Sequence, residues 1–276
     1  MKPPPFAYLR PETPEEALAA LASEADSALL LAGGQSLMAM LNMRLAQPSL
    51  LIDIGSLGAL SYVRISGGAL AVGAASTQSA LEHRSGLVGE APLLAQALPH
   101  LGHYQTRNRG TVCGSIAHAD PSGELPLCLV ALKGEVALRS VRERRIVQAE
   151  QFFLGALSTT RRPDEMIEEA RFPLRRKGEG HAFRELSMRQ GDFAICAVAA
   201  SATADGLRLA VGGVADRPVA RDWPLLEGGT LDDALSDFAW DLEARDDMHA
   251  SARYRRMLVR KLGRAALEEA MSCRNG

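Results

Sequence analysis

Two short stretches carry residue types suited to holding a charged ligand. The first, AGGQSLMAM from Ala32, follows the apolar run SALLL and reads as a strand that breaks at paired glycines and restarts as a helix. Glycine admits positive φ and close approach, and a helix start leaves amides without partners, which suits an anion such as phosphate. The spacing is not that of G-x-G-x-x-G, and the chain contains no G-x-x-x-x-G-K-S/T. The second stretch, RNRGTVCGSIAHADP over residues 107–121, is another Gly/Ser/Thr turn. Either alone reads equally well as a plain tight turn. Together they can bring amides from two sides onto a diphosphate, the charged middle of a dinucleotide.

Other chemistry is sparse. Cys113, Cys128, Cys196 and Cys273 are far apart with no C-x-x-C pair, which excludes a zinc ribbon and a plant-type iron–sulfur spacing. Three of the four sit among apolar or glycine-rich neighbours, as buried free thiols do. His100, His103 and His118 do not combine with Cys113 into any standard ligand spacing, so no metal site is assigned. If electrons pass through this protein, metal clusters must lie on another chain. A net charge of −2 argues against nucleic acid or an anionic membrane as main partner. The basic runs at 139–145 and 171–177 read as solvated strand ends and a linker. No apolar run approaches the roughly 20 residues of a spanning helix, and MKPPPFAYLRPET lacks a signal-peptide core. The expected location is cytoplasmic.

The elements that must position the two turns can be read from periodicity and caps. Thr13-Pro14-Glu15-Glu16 is a capping box opening a helix. A strand is expected at 29–31, then the first turn, then a helix with Leu37, Met40, Leu41 and Leu45 on one face that stops before Pro48. LLIDI at 50–54 reads as a strand covered on both faces, so residues 14–54 form a small α/β unit with parallel strands. YVRI and ALAV flank Ser66-Gly67-Gly68 as a hairpin. Helices near 78–83 and 92–100, a glycine-rich segment at 102–123, a helix over ELPLCLVAL and strands in EVALRS, RRIVQ and EMIEEARF follow. Residues 56–173 thus read as a mostly antiparallel sheet with helices on it. PLRRKGEG at 173–180 is the linker. Beyond it stand three strands (HAFRELSMR, FAICAVAASA, LRLAVGGVA), a helix near 231–244 and a last helix from about Ala250, with Tyr254, Leu258, Leu262 and Ala265 facing the sheet.

The blocks AGGQSLMAMLNMRLAQPSLLIDI, GHYQTRNRGTVCGSIAHADPSGELP, RQGDFAICAVAA and HASARYRRMLVRKLGRAALEEA, in that order over nearly the whole chain, resemble the FAD-binding medium subunit of the molybdenum hydroxylases. That family includes aerobic carbon monoxide dehydrogenase and the flavin domain of xanthine dehydrogenase. The resemblance implies an α+β fold: an FAD-binding domain over 1–176, with subdomains at about 1–55 and 56–176, and a C-terminal domain over 177–276 with a three-stranded antiparallel sheet and helices. It also implies that Ala32, Gly33, Gly34, Gln35, Ser36 and Leu37 form one diphosphate loop and Thr111, Val112, Cys113, Gly114 and Ser115 the other. Cys113 stands where the family pattern has glycine. At positive φ it would cost roughly 1 kcal/mol, and at a point of close approach its thiol would crowd the cofactor. Asp120 would accept hydrogen bonds from cofactor hydroxyls, Ile167 would lie along the flavin ring, Arg184 would stand near the isoalloxazine, and Phe193 would cover it.

By the same resemblance the chain is an electron-transfer flavoprotein with FAD. A molybdopterin large subunit would oxidise the substrate and two [2Fe-2S] clusters on a small subunit would relay electrons, in a dimer of heterotrimers. The flavin carries the chemistry, so no residue here is assigned as a catalytic acid, base or nucleophile. Two other classes fit the turns: a self-sufficient FAD oxidase or reductase acting on a small substrate, and a nucleotide-binding module that has lost flavin.

Overall fold

The computed structural model describes residues 2–24 and 26–275. Among the described residues, three sheets of three to five strands follow one another along the chain. In the first unit, β1 (Ala7–Leu9), β2 (Ala28–Leu31) and β3 (Leu50–Asp53) lie parallel in the order β1-β3-β2, with α1 (Pro14–Ser23) and α2 (Leu37–Asn42) as connections. The capping box forms as read: the Thr13 hydroxyl accepts from the Glu16 amide at 3.1 Å. Leu18, Leu21, Ile52 and Ile54 make the small core, with Met166 reaching in from the next sheet.

The middle sheet is antiparallel, in the order β4-β5-β10-β6-β7: β4 (Val63–Ser66), β5 (Ala69–Gly73), β6 (Glu135–Arg139), β7 (Arg144–Gln148) and β10 (Met166–Pro173). Between β5 and β6 run α3 (Gln78–Glu82), α4 (Leu87–Glu90), α5 (Pro92–Ala97), α6 (Tyr104–Arg109), α7 (Val112–His118) and α8 (Glu124–Ala131). The short α9 (Ala149–Phe152) and a small ribbon of β8 (Phe153–Gly155) and β9 (Ser158–Thr159) lead into β10. The glycine-rich segment expected at 102–123 is largely helical: α6 lies between Gly102 and Gly110, and α7 takes in Gly114. All eight residues of α8 are buried, as a helix that is apolar all round requires.

The last sheet has four antiparallel strands instead of the three expected: β11 (Gly180–Ser187), β12 (Ala194–Ala202), β13 (Leu207–Gly212) and β14 (Val219–Trp223). The added strand, VARDW, carries too few apolar residues to announce itself. On β12, Ala197 and Ala199 join the core around α8, whereas Cys196, Val198 and Ala200 join the core under α10 (Gly228–Asp241) and α11 (Ala252–Ser272). Small side chains let helices approach both faces of this sheet.

The buried stripe of α11 runs through Arg255, Leu258, Val259, Ala266, Leu267 and Ala270. Tyr254, expected to face the sheet, is 41% exposed. The stripe is offset because Arg255 enters the core, where its guanidinium donates to the carbonyls of Ile195 (2.7 Å) and Gly213 and to Asp247. Among the described residues, no helix is long and apolar enough to cross a membrane.

Candidate cofactor site

Strand β2 delivers the chain into the first turn. Gly34 sits at φ +74°, the left-handed region that glycine enters without a Cβ penalty, and the Gln35 side-chain amide donates to the Gly33 carbonyl at 3.2 Å. A Cβ on Gly33 would stand 2.2 Å from the Arg109 carbonyl oxygen and 2.7 Å from the Gly110 Cα. The two turns therefore touch backbone to backbone, and only glycine fits between them. Among the described residues the amides of Gly33, Gly34, Gln35 and Ser36 donate to no acceptor in the chain, which leaves a cluster of donors open to a ligand.

The second turn is built differently. Thr111 caps α7, its hydroxyl accepting from the Gly114 amide at 3.1 Å and its carbonyl from the Ser115 amide at 3.1 Å. The Val112 amide donates to Ser76 and the Gln78 amide to Gly110, which ties the turn to the start of α3. Most amides here are thus committed within the chain, and what the turn adds is chiefly the hydroxyls of Thr111 and Ser115. Amides converging from both sides, the arrangement expected from sequence, give way to amides on one side and hydroxyls on the other.

The turns stand where two chambers meet. The larger, about 800 Å³, has polar walls that include Arg10, Asp53, Ser56, Asn108 and Arg109. The smaller, about 340 Å³, runs inward between Leu30, Met40, Ile54, Met166 and Ile167. Ala32, Gly33, Gly34, Gln35 and Thr111 line both. A polar chamber and an apolar chamber joined at a donor-rich waist suit a ligand with a charged middle and a flat apolar end.

Of the residues singled out from sequence, Ala32, Gly33, Gly34, Gln35, Ser36, Leu37, Thr111, Cys113, Gly114, Ser115 and Ile167 line these chambers. Ile167 does so from a register shift in β10, where a bulge re-aims side chains. Val112 is fully buried in the main core. Asp120, Arg184 and Phe193 lie outside both linings. The Asp120 carboxylate accepts from the Ser122 amide at 2.9 Å, Arg184 pairs with Glu269 at 2.8 Å, and Phe193 is 67% exposed. Cys113 lies in α7 and is not among the residues of positive φ, so the strain conditional on that conformation does not arise. Its thiol donates to the Val72 carbonyl at 3.4 Å and is pushed up to about 12 by burial, which keeps it a protonated, inert group turned toward β5.

Among the lining residues that sequence reading did not single out are Gln78 and Arg161. Gln78 is 3% exposed, and nothing but its place after the capping Thr77 marks it. Arg161 donates to the Glu165 carbonyl at 2.8 Å and makes no ion pair among the described residues, and burial lowers its pKa. In the sequence it is one basic residue among several.

A family model of the FAD-binding domain in molybdopterin dehydrogenase matches residues 4–175, and one of the CO dehydrogenase flavoprotein C-terminal domain matches residues 181–270. The chain belongs to the FAD-binding medium subunits of the molybdenum hydroxylases. The nicotine 6-hydroxylase medium subunit of Paenarthrobacter nicotinovorans is 37% identical to this medium subunit over 98% of its length and 99% of the relative's. The carbon monoxide dehydrogenase medium chain of Afipia carboxidovorans is 30% identical over 98% of both chains. Among solved structures, a carbon monoxide dehydrogenase from Hydrogenophaga pseudoflava, in a form lacking the Mo-pyranopterin moiety of its cofactor, superposes with a TM-score of 0.93 at 31% identity, covering 99% of each chain.

The residues of the medium subunit fit FAD on their own geometry. Free amides at 33–36 suit a diphosphate, the Gly33 contact leaves no room for a side chain between the turns, and the Gln78 Oε1 is buried without a partner beside them. Such an orphaned acceptor costs stability unless something supplies a donor.

Two carboxyls lie where the start of α8 meets β11. Burial pushes Glu124 up to about 7, helped by Asp120 and opposed by its own amide. Burial, then Glu124, pushes Glu185 up to about 8, and its Oε2 is buried without a partner. Both folded values exceed the ordinary carboxylate value, so the folded medium subunit holds protons that the unfolded chain releases. Their contribution is therefore most favourable below the ordinary carboxylate range and is lost as pH rises through about 7 to 8. The melting temperature is expected to fall between about pH 6 and pH 8.5, and Glu185→Gln, which cannot ionise, should flatten that fall. A variant that keeps the full wild-type slope in thermal melts across this range would refute the assignment.

Proposed function

We propose that the medium subunit holds FAD at the two turns and serves as the electron exit of a molybdenum hydroxylase. On this reading it receives electrons from two [2Fe-2S] clusters of a small subunit, fed by a molybdopterin large subunit, and hands them to an external acceptor. The assembly would be a dimer of heterotrimers in the cytoplasm. Residues 1–176 would form the FAD-binding domain, with subdomains at about 1–55 and 56–176, and residues 177–276 the C-terminal domain. The observation that carries the proposal is the donor-rich waist at Ala32–Gln35 and Thr111 between a polar and an apolar chamber. The names of the relatives, medium chains and medium subunits of dehydrogenases and hydroxylases, support the need for partners.

When bound, FAD supplies the redox chemistry. The chain's own residues bind and orient. The amides of 33–36 would neutralise the diphosphate, and the hydroxyls of Thr111 and Ser115 would donate from the opposite side. Ile167, Met166 and Leu30 would keep water from the apolar end. Asp120, Arg184 and Phe193 are proposed to meet the cofactor from the segment before α8, from β11 and from the segment before β12. No acid, base or nucleophile of this chain is required, which is why the chain alone is not expected to turn over a substrate.

The test is an absorption spectrum of the full chain, purified alone and co-expressed with its neighbouring subunits, with the released flavin identified. FAD near one per chain, bleached by substrate only when the partners are present, is expected. Absence of FAD from both preparations, or turnover by the isolated chain, would overturn the reading.

A further inference from the structure

Gln78 occupies a position that the two turns do not explain. It is 3% exposed, and its backbone amide donates to the Gly110 carbonyl at 2.8 Å. Its side-chain amide lies flat against Gly110, where a Cβ would come within 2.9 Å of Oε1 and 3.0 Å of Nε2. Nε2 donates to the Ser115 hydroxyl at 2.9 Å. Oε1, in contrast, is buried and has no hydrogen-bond partner among the described residues, in a side chain that belongs to the wall of the smaller chamber. A buried carbonyl oxygen of this kind needs an O–H or N–H donor, and its neighbours in the chain supply none.

The pairing with Ser115 has a directional consequence. A hydroxyl has one proton and two lone pairs. Because Gln78 Nε2 engages a lone pair of Ser115 Oγ and that hydroxyl donates to no acceptor among the described residues, its proton is free to serve a ligand in the chamber that Ser115 also lines. Ser115 is thereby set as a donor, the role an anionic phosphate oxygen calls for. Gln78 Oε1 cannot bond a deprotonated phosphate, since both are acceptors. It can accept from a hydroxyl of the sugar or polyol chain attached to that phosphate.

From this geometry we infer that Gln78 is a cofactor-holding residue with two tasks. Its Oε1 accepts a hydroxyl of the FAD sugar or polyol chain next to the diphosphate, and its Nε2 orients the Ser115 hydroxyl to donate to a phosphate oxygen. The inference rests on FAD being the ligand of the two turns. It explains both the orphaned acceptor and why Gly110, pinned between Gln78 and Gly33, carries no side chain.

The test is a titration of the flavin-stripped full chain with FAD, read by flavin fluorescence, together with a thermal melt without FAD. Gln78→Leu is expected to weaken FAD binding by about tenfold or more while leaving the melting temperature of the stripped protein unchanged or raised, because an unsatisfied acceptor is removed. The double variant Gln78→Leu/Ser115→Ala should cost less than the sum of the two single changes. Gln78→Glu keeps the side-chain size but places a carboxylate beside the diphosphate. Its affinity loss should shrink as pH falls toward the carboxylate range. Wild-type FAD binding matched by Gln78→Leu would overturn the inference and leave the FAD reading intact. The inference would also fall if the stripped variants melt far below wild type with no coupling to Ser115, which marks a purely structural glutamine. Failure of the wild-type chain itself to bind FAD would overturn the FAD reading and this inference with it.

Discussion

Gly33→Ala is expected to strip the flavin site. The added methyl carbon would lie 2.2 Å from the Arg109 carbonyl oxygen, 2.7 Å from the Gly110 Cα and 2.9 Å from the Arg109 carbonyl carbon, all of them backbone. Neither side can yield cheaply. Gly110 is held from behind by Gln78, and its amide donates to the Thr106 carbonyl at 2.7 Å. The turns must separate, and the free amides of 33–36 move away from Thr111 and Ser115. Overpacking of this kind costs about 1–3 kcal/mol, which corresponds to roughly 5- to 150-fold in FAD affinity if the strain falls on the bound geometry. Flavin absorbance per chain after dialysis measures it. Gly58→Ala, where a Cβ meets nothing within 4 Å, is the control and should retain full flavin. Full occupancy in Gly33→Ala would mean that the two turns are not a single seat.

Arg208→Met should produce the largest loss of stability without touching the chambers. Arg208 is 7% exposed on β13, and its guanidinium donates to the carbonyls of Val130 and Ala131, each at 3.0 Å, and to Asp222 at 2.7 Å, with Glu150 as a further partner. The last carbonyls of a helix have no partner within it; at the end of α8 the Val130 carbonyl also accepts from the Lys133 amide at 3.1 Å, whereas the Ala131 carbonyl depends on Arg208, which fastens this end to the C-terminal sheet. Methionine fills much of the volume and removes every donor. Hydrogen bonds from a charged group are worth about 1.5–3 kcal/mol each. Asp222 and Glu150 are half-exposed and can return to water, and Val130 keeps the Lys133 amide, so the Ala131 carbonyl carries most of the cost, about 1.5–3 kcal/mol. At about 2–4 °C per kcal/mol for a chain approaching this size, the melting temperature should fall by about 3–12 °C. An unchanged melting temperature would show that α8 and β13 are held by apolar packing alone.

Legibility differed from one part of the molecule to another for physical reasons. The two turns were visible because glycines flanked by an apolar strand and a helical pattern impose their conformation locally. The parallel strands at 28–31 and 50–53 were visible as short apolar runs. Strands Ala7–Leu9 and Val219–Trp223 were not, since AYL is too short a run between prolines to be told from a loop and VARDW lacks both alternation and a continuous apolar run; each pairs with a neighbouring strand. The sheet-facing stripe of the last helix was displaced by one residue because hydropathy assigns Arg255 to solvent, whereas distant carbonyls at Ile195 and Gly213 receive it in the core. Cys113, which would be strained at positive φ or would crowd the cofactor at a point of close approach, is a helical residue outside the positive-φ set whose thiol bonds β5.

By itself the sequence determined the conformational repertoire of each segment. That comprises the turns able to bare amides, the order of the α/β and antiparallel units, and the lack of cysteine or histidine spacing for a metal. The blocks that mark the family are also sequence properties. These depend on neighbours a few residues away, where sterics and caps act. Only the tertiary structure decided that Gly33 presses on Gly110, that a polar and an apolar chamber share one waist, and that Gln78 carries an orphaned oxygen beside Ser115. Those facts arise from contacts between segments far apart in the chain. There, the fit of surfaces and the need to satisfy buried polar groups, and not local preference, set the outcome.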